Sequence, residues 1–135
     1  MSEKITIEAL VRAPLDAVWR AWTTPEDIVQ WNAASDDWHT PRASVDLRVG
    51  GVFSSRMEAR DGSMGFDFEG TYTVVEPMQR IAAVFGGRTL EVEFLVGDDG
   101  VTVRETFEPE TTFPVEYQRA GWQAILDRFK GHVEG

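Results

Sequence analysis

Apolar and polar residues alternate along most of the chain. Ile5, Ile7, Ala9 and Val11 are separated by polar or outward positions, the period-two pattern of a half-buried strand. Ala13-Pro14 ends that run. From Asp16 to Thr23 the period changes: Val18, Trp19 and Trp22 recur at helical spacing, and Thr24-Pro25 opens a second short helix reaching Gln30 or Trp31. The stretch Asn32 to Ala43 has no period and reads as an ordered loop carrying Trp38. Alternation resumes at Val45, Leu47 and Val49, turns at Gly50-Gly51, and continues with Phe53, Ser55 and Met57 on one face.

Asp61-Gly62 marks the next turn, followed by a long strand with Phe66, Phe68, Gly70, Tyr72 and Val74 on one side. Further strands run from Ile81 to Phe85, through Leu90, Val92, Phe94 and Val96, and through Val101, Val103, Glu105 and Phe107, joined by Gly86-Gly87 and Asp98-Asp99-Gly100. Short connections of this kind predict a meandering antiparallel sheet. The last segment, Pro114 to Val133, is helical, with Val115, Trp122, Ile125, Leu126 and Phe129 on one apolar side. At about 1.5 Å per residue it is roughly 27 Å long, enough to lie along a whole strand at about 3.3 Å per residue. The expected fold is α+β: a curved antiparallel sheet of six or seven strands wrapped around a long C-terminal helix, with two short helices between strands one and two. That arrangement leaves a space between sheet and helix.

Length and charge narrow the function. The 135 residues suit one domain, residues 1–135. There is no cysteine, which excludes disulfides and thiolate metal sites. A net charge of −10 opposes binding to nucleic-acid backbones, which requires a basic face. No apolar run is long enough to cross a bilayer and no signal-peptide core precedes the first strand, so the expected location is cytoplasmic.

Few residues carry candidate chemistry. Glu105 shares its strand face with Val101, Val103 and Phe107 and therefore points where the core points, although a bulge or an arginine partner would give it a structural role instead. Tyr72 and Tyr117 each combine an apolar ring with a hydroxyl that needs a partner, either structural or from a ligand. His39 follows Asp36, Asp37 and Trp38, a pairing suited to general acid–base work or to simple capping. It matches no metal-binding spacing, and neither a metal nor a cofactor is expected. Asp46 with Arg48, and Arg56 with Glu58, read as surface ion pairs, the latter extending to Asp67 or Glu69. Gly121 lies in mid-helix, where glycine costs roughly 1 kcal/mol relative to alanine; close approach to the sheet or a cavity is one reason to keep it, an exposed position without a role the other. No serine has a nucleophile-elbow context and no glycine cluster forms a phosphate loop.

Several motifs together resemble one family. They are Ala13-Pro14 followed by Val18-Trp19-Arg20-Ala21-Trp22-Thr23, then Pro25 and Trp31, Asp46-Leu47-Arg48-Val49-Gly50-Gly51, Gly70-Thr71-Tyr72 before Glu76-Pro77, and Gly121-Trp122. In this order they resemble the Aha1-like (activator of Hsp90 ATPase) domains of the START/Bet v 1, or SRPBCC, helix-grip superfamily. The resemblance implies a helix-grip fold with a cavity, and not a particular reaction: similar proteins include binders of hydrophobic ligands, polyketide cyclases, sequestering proteins and the Hsp90 co-chaperone. The co-chaperone carries an additional domain ahead of the Aha1-like one, so an Hsp90-type partner is not expected here.

The leading expectation is a monomer or weak homodimer that binds a small apolar molecule between sheet and helix. Phe53, Phe68, Tyr72, Phe94, Tyr117, Gly121 and Trp122 would form the wall, Trp38 and His39 the mouth, and Glu105 a polar anchor. A cyclase or hydrolase using His39 or Glu105, and a protein-interaction module with an exposed aromatic patch, are the alternatives.

Overall fold

The structure, a computed structural model, describes residues 3–135. Its elements are β1 (Ile5–Val11), α1 (Leu15–Thr23), α2 (Pro25–Trp31), β2 (Trp38–Val45), β3 (Val52–Ala59), β4 (Gly65–Glu76), β5 (Arg80–Phe85), β6 (Arg88–Gly97), β7 (Gly100–Phe107) and α3 (Val115–Glu134). The strands form one antiparallel sheet in the order β1-β7-β6-β5-β4-β3-β2. From β2 to β7 each strand pairs with the next in sequence, as the short turns require. The single crossover carries the chain through α1 and α2 from one sheet edge to the other. The sheet curls into a half-barrel, as expected from the alternation.

One boundary differs from the sequence reading. Trp38–Val45 is a strand, while residues 46–51 make an irregular turn in which Asp46 O accepts from Arg48 N at 2.9 Å and Arg48 O accepts from Gly51 N at 2.8 Å. β2 is an edge strand with exposed Pro41 and Arg42, and its register shifts between His39 and Arg42. Edges tolerate proline and need not alternate, so the hydrophobic pattern there is erased. Asp46 and Arg48 do pair, at 2.9 Å, but within this turn.

The concave face carries the core. Ile5, Val11, Val92, Val101, Val103 and Phe107 from the sheet are almost fully buried with Leu126 and Phe129 of α3. α3 runs alongside β1: Arg119 Nη1 donates to Thr6 O at 3.4 Å, Gln123 Nε2 to Glu8 O at 3.1 Å, and the Glu134 carboxylate accepts from Arg12 N at 2.8 Å. Buried Gln118 secures the segment leading into the helix, donating to Glu110 O at 3.0 Å and Phe113 O at 2.8 Å while its Oε1 accepts from Glu110 N at 2.9 Å. These bonds satisfy backbone groups that would otherwise be stranded. Val115, expected on the buried side, is instead exposed.

Aromatic rings close one end of the half-barrel. Trp22 and Trp31 each meet Phe129 edge to face at 4.9 Å, and Trp19 meets Phe94 at 5.2 Å. The Trp31 indole donates to Ala21 O at 3.0 Å, giving the buried N–H its partner.

Candidate binding face

Cross-strand partners share a face of the sheet, so the register shows which residues point inward. Glu105 sits between Ile7 of β1 and Val92 of β6, both buried, and is itself only 6% exposed. The inward reading from alternation is met, without a bulge. Burial alone raises its carboxyl to about 8, with neither a hydrogen bond nor a neighbouring charge contributing. Desolvation penalises the carboxylate form, and nothing around it offsets the penalty.

Beside Glu105 on the same face begins a chain of aromatic rings. Phe107 stacks on Trp122 at 3.8 Å. Trp122 meets Phe85 at 5.8 Å and Phe68 at 6.1 Å, Phe68 meets Phe53 at 5.5 Å, and Phe53 meets Tyr72 at 5.3 Å. Phe53, Phe68 and Trp122 remain half-buried, so this wall is partly open to solvent. Buried Ser55 lies opposite Phe68 on that face. The Tyr72 hydroxyl is pushed up to about 12 by burial and by the nearby Asp46 charge.

Gly121 is half-buried, and a Cβ built on it would meet no atom within 4 Å. The expected tight approach of helix to sheet at this residue does not occur; the space beside Gly121 is open. Gly70 shows the contact that Gly121 lacks. A Cβ there would lie 2.5 Å from the Phe53 ring and 3.0 Å from Val84 O, so only glycine lets the ring lie across β4.

Other expected site residues separate from this face. Phe94 is buried in the tryptophan cluster rather than in the open wall. Tyr117 is 67% exposed and pairs with Phe113 at 5.5 Å; it lies one turn from Gly121 on the same side of α3 but is too exposed to form an inner wall. Trp38 pairs with Ala59 on the concave side and meets half-exposed Phe66 at 6.0 Å. His39 does not accompany it. It pairs with Glu58 in register, and its Nε2 lies 3.8 Å from the Glu58 carboxylate on the convex face, because neighbours on a strand point oppositely. His39 and Glu105 therefore face different sides and do not form a proton-transfer pair.

The convex face is a ladder of ion pairs: Glu8 with Arg104 at 2.6 Å, Arg104 with Glu93 at 4.0 Å, Arg80 with Glu76 at 3.1 Å and with Glu91. Arg56 joins Glu58 at 2.9 Å and Asp67 at 3.6 Å, as the sequence suggested. Two shallow depressions occur on this side, about 120 Å³ beside Arg42 and Ser54 and about 170 Å³ beside Thr73 and Thr106. Both have polar rims and neither includes Glu105 or the aromatic wall. Among the described residues no cluster of three or more metal-ligating side chains occurs, and no helix is long and apolar enough to cross a membrane.

Sequence reasoning missed His132 and Ser55. His132 Nε2 lies 2.9 Å from Asp27 Oδ1 and joins α3 to α2, a pairing across the whole chain that no local pattern signals. Ser55 was legible as an inward position between Phe53 and Met57 but carries no motif.

A seven-stranded antiparallel sheet gripping one long C-terminal helix, with two short helices at one end, defines a helix-grip protein of the SRPBCC superfamily. Within it, the chain belongs to the family described as activator of Hsp90 ATPase homolog 1-like protein, whose model matches residues 12–134. It is similar to the solution structure of an AHSA1-like protein from Aeromonas hydrophila, with 50% identity over 98% of this chain and 92% of that one and a TM-score of 0.92. A solution structure from Cytophaga hutchinsonii is 44% identical over 97% and 92% of the two chains, with a TM-score of 0.84. A crystal structure from Chromobacterium violaceum, 23% identical over 98% of this chain and 99% of that one, shares the fold with a TM-score of 0.87. A search of curated proteins found no match.

Proposed function

We propose that this protein binds a small, mostly apolar molecule against the concave face, between α3 and strands β3 to β7, with Glu105 holding the ligand's polar group. The carrying observation is the Glu105 side chain itself, buried beside aromatic rings without any hydrogen-bond or charge partner contributing to its titration. Such a group is costly to keep in a core; a ligand that pairs with it removes the cost. The half-buried rings of Phe53, Phe68 and Trp122 and the open space at Gly121 supply an entrance and an apolar wall. Trp38 and Phe66 flank the entrance, and the fold family contains ligand binders, which accords with this reading.

Native mass spectrometry of protein purified from its own host, followed by titration of the stripped protein with a fluorescent apolar dye, tests the proposal. A retained small molecule, or dye binding that Gly121→Leu and Trp122→Ala weaken, is the expected result. A stripped protein that binds no dye, or that binds it equally in both variants, overturns it.

A further inference from the structure

Glu105 also indicates what kind of polar group the ligand carries. We infer, resting on the binding reading above, that the ligand is an organic amine, an aromatic or other apolar body bearing a protonated nitrogen for which Glu105 is the counter-ion and half-buried Trp122 supplies the ring contact. Around Glu105 the side chains in register are Ile7 and Val92, and along its own strand Val103 and Phe107, all apolar. The adjacent titratable groups Glu8, Glu91, Glu93 and Arg104 belong to the outward ladder. From α3, Arg119 pairs with Glu116, Arg128 with Asp36, Lys130 with Glu134 and His132 with Asp27, all away from the face. Tyr72 is also turned inward, and Glu110 has one buried carboxylate oxygen without a hydrogen-bond partner. Among the described residues no cation pairs with the Glu105 carboxyl.

Three kinds of ligand present different energetics there. An anion meets a carboxyl group and an overall charge of −10 and is disfavoured. A neutral hydroxyl or carbonyl gains one ordinary hydrogen bond. An ammonium gains a charge-assisted bond, roughly twice as strong, together with cation–π attraction from the Trp122 ring. A simple alkylamine titrates near 10.4, above the Glu105 carboxyl at about 8, so in the complex the proton resides on nitrogen and the carboxyl is ionised. Below about pH 8 each binding event therefore releases the carboxyl proton to solvent, and amine affinity rises with pH until that group is already ionised. Arg88 is the competing feature: its guanidinium lies 4.4 Å from the centre of the Phe85 ring, at the β5–β6 turn, and would favour an anionic ligand placed at that end.

Naphthylethylamine, naphthylethanol and naphthylacetate share an aromatic body and differ in charge, so their titration against the parent protein and Glu105→Gln, followed by Trp fluorescence, tests the inference. The amine is expected to bind the parent about tenfold more tightly than the alcohol near pH 8, to lose that advantage in Glu105→Gln, and to weaken in the parent as pH falls to about 6. The pH series on the parent stands even if the variant folds poorly. Alcohol binding as tight as the amine, or acetate binding tightest, overturns the amine inference while leaving ligand binding intact. If no naphthyl probe binds, and the apolar dye does not bind either, both readings fall; dye binding without amine binding overturns the amine inference alone.

Discussion

Trp122 of α3 lies flat on Phe107 of β7, the ring centroids 3.8 Å apart and the planes 9° from parallel. Phe107 is fully buried while Trp122 is half-buried, so the stack joins the closed core to the open aromatic wall. The helix backbone itself runs closest to β1, and towards β4 and β5 it is the Trp122 ring that makes contact, meeting Phe68 and Phe85. One side chain thus both holds α3 in place and forms the wall.

Replacing this ring separates the two roles. Trp122→Ala is expected to lower stability by about 3 kcal/mol, the order found for large aromatic truncations, read from urea unfolding. Trp122→Phe keeps most of the ring contact and should lose less than half as much. Equal losses in the two variants would mean that the smaller ring recovers none of the stacking contact.

Glu105 makes stability depend on pH in a definite direction. Its folded-state carboxyl titrates at about 8 against an ordinary 4.5, so between these values the unfolded chain has released a proton that the folded chain retains. Stability is therefore greatest below the lower value and falls as pH rises to the upper one. Glu105→Gln should remove this part of the pH dependence and be more stable than the parent near pH 8. Identical pH profiles of melting temperature for the two proteins would show that the carboxyl is not desolvated.

Gly121→Ala should stabilise the protein by up to about 1 kcal/mol, because the new methyl group meets no atom and the helix loses its least favourable residue. Gly121→Leu should fold as well as the parent but bind an apolar dye more weakly, its side chain occupying the open space. Thermal melts and dye titration of the pair check both statements; a Leu variant with unchanged dye binding would place the ligand elsewhere.

At Gly70 the same substitution should act oppositely. The added methyl group of Gly70→Ala falls 2.5 Å from the Phe53 ring, so Phe53 must move, at a cost of about 1–3 kcal/mol. Gly70→Ala combined with Phe53→Leu should recover part of the loss in chemical unfolding, because the clash is with the ring edge; no recovery would place the strain in the backbone at Val84 instead.

Residue order alone determined the strands β3 to β7, the two short helices, the length of α3 and the inward direction of Glu105, because each follows from a period of two or 3.6 set by local backbone geometry. Edge strand β2 escaped this reading: Pro41 and a register shift break its period, and only pairing with β3 shows that Trp38 turns inward and His39 outward. The tertiary structure likewise decided that Tyr117 is exposed and that the space at Gly121 is open, since both depend on how α3 lies on the curled sheet. His132 meets Asp27 and Trp122 meets Phe107 for the same reason. Periodicity tells a side chain which face of its own element to occupy; the sheet's curl and the crossover through α1 and α2 decide which residue it finds there.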